Sequence, residues 1–91
     1  MRIKSGFAVR KIADSYMAIP VGIRTADVSG VIALSETGAF LWKLLDEDLS
    51  EEELIGRLTE EYEVSFDTAA ADVKAFSLDL LQQGWIDEIT N

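Results

Sequence analysis

Leu34-Ser35-Glu36-Thr37-Gly38-Ala39-Phe40-Leu41-Trp42-Lys43-Leu44-Leu45 divides the chain: residues before it alternate as strands do, and residues after it repeat as helices do. Ser35 stands at an N-cap position, where its hydroxyl accepts from an orphan first-turn amide, and Glu36 puts negative charge at the positive end of the helix dipole. A helix is therefore predicted to start here. Thr37, Phe40, Leu41, Leu44 and Leu45 follow the i, i+3, i+4, i+7, i+8 spacing, and Ala39 and Trp42 widen the apolar side, so the helix is expected to be buried on more than one face.

Upstream, Phe7-Ala8-Val9-Arg10-Lys11-Ile12-Ala13 alternates as a strand, Asp14-Ser15 makes a turn, and Tyr16-Met17-Ala18-Ile19 returns as a second strand. Pro20 has no amide for a ladder and marks the end of that strand or an open edge. Gly22 to Gly30 reads as a loop with Ile23 and Val28 as anchors, and Val31-Ile32-Ala33-Leu34 as a third, short strand. Downstream, Ser50-Glu51-Glu52-Glu53 is a capping box, which starts a second helix with a stripe of Leu54, Ile55, Leu58 and Tyr62. Gly56 inside it predicts close helix packing. Ser65 caps a third helix running through Gln83 to a stop at Gly84, its core face formed by Ala69, Val73, Phe76 and Leu80. Trp85 to Ile89 is expected to close the domain as a last short strand or an anchoring tail.

Ninety-one residues make one domain, residues 1–91, with a single small core. At 48% hydrophobic with one Pro and six Gly, the chain is expected to fold rather than stay disordered. It has no cysteine, which excludes disulfides and thiolate metal sites. The absence of a long apolar run and of an apolar centre near Met1 predicts no membrane span and no secretion, hence a cytoplasmic protein. Net charge is −9, and it is unevenly spread: the first 35 residues carry five basic and two acidic side chains, the remaining 56 three basic and 15 acidic. The helical half is the acidic half, which repels phosphate and attracts basic partners.

Several chemistries fail on these residues. Asp46-x-Asp48-x-Ser50 opens like a calcium loop, but Glu51 occupies the position that needs Gly and Arg57 the position that needs a bidentate Glu. Without His or Cys a zinc site would need carboxylates alone, and the serines have no imidazole to activate them. Asp72 and Asp79, spaced for acid–base work, read as solvated helix acids. No catalytic, metal or cofactor residue is therefore assigned. Strands with three helices also describe a winged helix-turn-helix, but the third helix offers Lys74, Gln82 and Gln83 against Asp67, Asp72 and Asp79, a balance unsuited to DNA.

The order of these signals resembles the PqqD-like family, small domains also called recognition elements for ribosomally made, modified peptides (RiPPs). Leu34, the Ser35 cap, Thr37-Gly38, Trp42 to Leu45 and the acidic turn after them carry the likeness, together with Asp72-Val73, Phe76 and Gly84-Trp85-Ile86. It covers nearly the whole chain and implies an α+β fold of winged helix-turn-helix type, a small three-stranded antiparallel sheet followed by three helices. It also implies a non-catalytic peptide chaperone. A precursor's leader peptide would add as an antiparallel strand along Val31, Ile32, Ala33 and Leu34 and rest against the third helix, where Ala75 leaves room beside Phe76. Asp72 and Asp79 would attract basic leader residues. The implied partner is a modifying enzyme such as a radical-SAM protein, a leader protease or a cyclase, served by raising the local concentration of the peptide core. At Ser77 the chain departs from the family pattern, which often has Leu, and this predicts an altered groove. The competing expectation is an interaction module without a peptide ligand: Ala71, Leu78 and Leu81 lie away from the predicted core face and suit a homodimer or a docking enzyme.

Overall fold

The computed structural model describes residues 1–4, 6–21 and 32–90. Three strands are followed by three helices: β1 (Phe7–Ile12), β2 (Ser15–Pro20), β3 (Ile32–Leu34), α1 (Glu36–Leu44), α2 (Glu51–Glu61) and α3 (Phe66–Gln83). This is the expected α+β order. The sheet is antiparallel with β2 in the centre, Phe7 opposite Pro20 through Ile12 opposite Ser15 on one side, and Tyr16 opposite Leu34 and Ala18 opposite Ile32 on the other. Among the described residues both β1 and β3 are therefore edge strands.

The hairpin turns one residue earlier than predicted. Ala13 leaves the strand with φ of 55° and forms the turn with Asp14, so Ser15 already belongs to β2. Pro20 ends β2, where its missing amide removes nothing from the inner ladder. The loop expected over 22–30, and Val31 of the expected third strand, lie outside the described residues.

Each helix begins at the serine predicted for it. Ser35, Ser50 and Ser65 accept from the amides of Gly38, Glu53 and Thr68 at 3.0, 3.1 and 3.1 Å, and the Ser50 amide donates back to Glu53 Oε1 at 3.2 Å to complete the capping box. Gly84 ends α3 in the left-handed conformation, φ 81°, open to glycine without strain. α1 is indeed buried on several sides, through Gly38, Ala39, Leu41, Trp42 and Leu45. α2 contributes Leu54 and Leu58, both inaccessible, each worth about 1.5–3 kcal/mol in removed apolar surface. Gly56 does not serve close packing: a Cβ built there meets no atom within 4 Å. The core line of α3 also differs from expectation, running Ala69, Val73, Ser77, Leu80, with Phe76 half-buried at its margin.

The tail after Gly84 is an anchor and not a strand. The Trp85 amide donates to Leu80 O, Trp85 O accepts from Lys4 N at 2.9 Å, Thr90 O accepts from Glu51 N at 2.7 Å, and Ile86 is buried. Residues Met1 to Lys4 thread between this tail and the end of α1, with Ile3 N donating to Leu45 O and Leu49 N to Met1 O. Phe7, Trp42 and Trp85 meet in a ring cluster with centroids 5.7–6.0 Å apart, locking β1, α1 and the tail together.

Candidate functional site

β3 ends directly in the Ser35 cap, so the edge of the sheet and the N-terminal turn of α1 form one continuous wall. α3 stands opposite. Between them lies a cleft of about 330 Å³. Ala33 and Leu34 supply its sheet side, Ser35, Thr37, Gly38 and Leu41 its α1 side, and Asp72, Ala75, Phe76 and Asp79 its α3 side.

The local sequence explains this shape. Asp72, Ala75, Phe76 and Asp79 follow helical spacing on a face of α3 adjoining the buried line, so they look past the core toward β3. Ala33, Gly38 and Ala75 are small and keep the walls apart, while Leu34, Leu41 and Phe76 give an apolar floor. Gly38 is tight as well as small: a Cβ there would stand 3.1 Å from Ser35 Oγ and 3.9 Å from Leu34. Asp72 and Asp79 are exposed, and no basic group among the described residues pairs with either.

Of the residues singled out from sequence, Ala33, Leu34, Asp72, Ala75, Phe76 and Asp79 line this one cleft. Ile32 does not: its side chain is half-buried against the core. Val31 lies outside the described residues. Ser77, expected to reshape the groove, is fully buried on the core side, where its hydroxyl donates to Val73 O at 2.8 Å. The α1 wall was not anticipated as part of the site, although Ser35 and Thr37-Gly38 belong to the stretch that carries the family likeness. Leu78 and Leu81 are 42% and 38% exposed, and Ala71 is exposed too. The most exposed large apolar side chain among the described residues, Phe66 at 66%, was not singled out.

Tyr62 stands behind the α1 wall, its ring edge-on to Phe40 at 5.5 Å. Burial pushes its phenol above the ordinary value, and the charges of Glu36 and Glu61 and a hydrogen bond with Glu36 act in the same direction. A second concavity, about 390 Å³, lies among Arg2, Ile3, Lys4, Phe7, Trp42, Asp46 and Asp87. It is larger, yet it is spanned by the Lys4–Asp87 ion pair at 3.2 Å and borders neither β3 nor α3. Among the described residues no three potential metal ligands come together, and no helix is long and apolar enough to cross a membrane.

Comparison with known proteins agrees with this architecture. One solved structure, "TbiB1 in Complex with the TbiA(beta) Leader Peptide", is similar over 100% of both chains, with a TM-score of 0.73 at 21% sequence identity. No curated protein matches. The sequence model of the family described as "Coenzyme PQQ synthesis protein D (PqqD)" matches residues 9–86, from within β1 through α3 to Ile86 of the anchored tail. The chain belongs to the PqqD family.

Proposed function

We propose that this chain is a RiPP recognition element: it captures the leader segment of a ribosomally made precursor peptide in the cleft between β3 and α3 and presents the rest to a modifying enzyme. The observation that carries the reading is an open strand edge facing a helix across an apolar cleft. An extended peptide laid there completes the backbone hydrogen bonds of β3 and sets its side chains against Leu34, Leu41 and Phe76. Family membership and the likeness to a chain solved with a leader peptide support it.

In this reading the chain contributes no chemistry of its own. It acts in the cytoplasm by tethering: a bound leader raises the effective concentration of the attached core at the enzyme, whether a radical-SAM protein, a protease or a cyclase. An NMR titration of the labelled protein with the leader half of a precursor peptide encoded beside it tests this. Amide shifts are expected on Ile32 to Leu34 and on the Asp72–Asp79 side of α3. Shifts confined to β1, or none at high peptide concentration, would sink the proposal.

The exposure of Leu78 and Leu81 favours a second reading, an interaction module pairing two copies through Ala71, Leu78 and Leu81. Sedimentation of the Leu78→Glu/Leu81→Glu variant separates the two. It should remain able to bind peptide, whereas a module built on that stripe would change its oligomeric state and retain no peptide affinity to measure.

A further inference from the structure

We propose that the captured segment carries a basic–x–apolar–x–basic pattern, two Lys or Arg side chains four residues apart around an apolar one, all three turned toward α3. This rests on the strand-addition reading of the same cleft. It adds which sequences that cleft selects.

The cleft side of α3 alternates in character along its length: Asp72, then Ala75 and Phe76, then Asp79. At a rise of 1.5 Å per residue the two carboxylates lie about 10 Å apart along the axis, with the apolar pair roughly midway. Positions on one face of an extended segment repeat about every 6.7 Å, so three of them span about 13 Å. The middle one falls over Ala75 and Phe76, where a small residue leaves room beside the ring. The outer two overshoot the carboxylates by about 1.5 Å each, which long, flexible Lys or Arg stems take up.

The charges fit a peptide of that kind. Both ion pairs among the described residues, Met1–Asp48 and Lys4–Asp87, lie elsewhere, and Lys74 on α3 is not among the cleft residues. The cleft thus offers two carboxylates with no ion-pair partner among the described residues. The facing wall adds the Ser35 and Thr37 hydroxyls, 3.3 Å apart, and among the described residues no charged side chain. An acidic residue at either outer position would meet a like charge across the cleft, and a basic one at the centre would displace apolar contact. The excess of negative charge in the helical half steers such a peptide to this side of the molecule.

The test is selection from a displayed library of randomised peptides about 12 residues long, enough to hold the pattern in several registers, against the wild type and the Asp72→Asn/Asp79→Asn variant. Both positions are exposed and the amides are isosteric, so the fold is unaffected, which near-UV circular dichroism verifies. From the wild type, paired Lys or Arg four residues apart around an aliphatic or aromatic residue should enrich about fivefold over the input, the scale of two exposed charge pairs at about 0.5 kcal/mol each. The variant should still enrich the apolar centre but lose both flanks. Attraction by net charge alone would enrich basic residues at every position and persist in the variant, and that result overturns the pattern. So do wild-type winners without a basic excess, which leave strand addition standing. No enrichment from the wild type at all overturns both.

Discussion

β1 and β3 are the two outer strands of one sheet, and among the described residues each presents an edge with no strand beside it. They differ in what surrounds them. β1 is the longer, six residues, and ends in the exposed Arg10, Lys11 and Ile12. The concavity beside it, about 200 Å³, is lined by Phe7 to Arg10 with Trp42, Lys43 and Asp46 of the α1 end. Lys11 and Lys43 lie over the Tyr16 ring at 5.6 and 6.0 Å. Charged side chains on an edge strand are a device against unwanted pairing. β3 has three residues and, among the described residues, no cation in its cleft and a helical wall whose two carboxylates form no ion pair. An open edge is thus not enough to make a binding strand; the wall that faces it and the sign of the charge beside it decide which edge is used.

The sharpest way to break this comparison is to fill each concavity in turn. Ala75→Trp places a ring in the cleft from an exposed helix position, so the fold should stand while leader affinity falls about 100-fold, equivalent to about 2.7 kcal/mol. Arg10→Trp fills the β1 concavity and should leave affinity within about threefold, a change under about 0.7 kcal/mol. Fluorescence anisotropy with a labelled leader measures both. If Arg10→Trp proved the damaging change, β1 would be the peptide edge.

These two edges also show what a sequence discloses. Ser35, Ser50, Ser65 and Gly84 were legible because a cap and its partner lie within four residues of each other. Asp72, Ala75, Phe76 and Asp79 were set beside Ala33 and Leu34 by the family resemblance, which implies a peptide strand along the third strand and against the last helix; residue pattern alone reads the same positions as core and solvated helix. The α1 wall was not anticipated, since its position across from α3 depends on packing between segments some 35 residues apart in the chain. Phe76 and Ser77 were exchanged for a related reason. Hydrophobic periodicity assigns the core to the larger apolar residue, but position 77 continues the line of Ala69, Val73 and Leu80, and its hydroxyl is satisfied within the helix by Val73 O. Nothing local signalled that Met1 to Lys4 would thread between α1 and the tail.

A smaller effect sharpens the contrast between site and scaffold. Ser35→Ala and Ser65→Ala each remove one capping bond of similar length, and each should cost about 1 kcal/mol, or roughly 4–8 °C in melting temperature. Their consequences for binding should part. Ser35 lies in the cleft wall and Ser65 does not, so loosening the first turn of α1 should weaken leader affinity several-fold while the Ser65 variant binds as wild type. Equal losses in both would mean that the site senses overall stability rather than the α1 wall. Gly56→Ala provides the opposite sign: it lies in an exposed, uncrowded part of α2 and should raise stability by about 1 kcal/mol without touching affinity.

The smallest effect concerns the support behind that wall. Tyr62 keeps its proton to higher pH in the fold than the ordinary phenol value of 10.0, because of burial and the negative charges of Glu36 and Glu61 around it. The folded state therefore binds more protons than the unfolded chain once pH passes about 10, and stability falls as pH rises through that range. Below it the contribution is fully present. Tyr62→Phe has no proton to lose, so its melting temperature should decline less steeply between about pH 9 and 11 than that of the wild type. Glu36→Gln, which removes one of the nearby charges and weakens the hydrogen bond, should bring the phenol's titration downward when absorbance near 295 nm is followed. Identical alkaline profiles for all three proteins would mean that Glu36 is not held beside Tyr62, and that the first turn of α1 is fixed by the Ser35 cap and its packing alone.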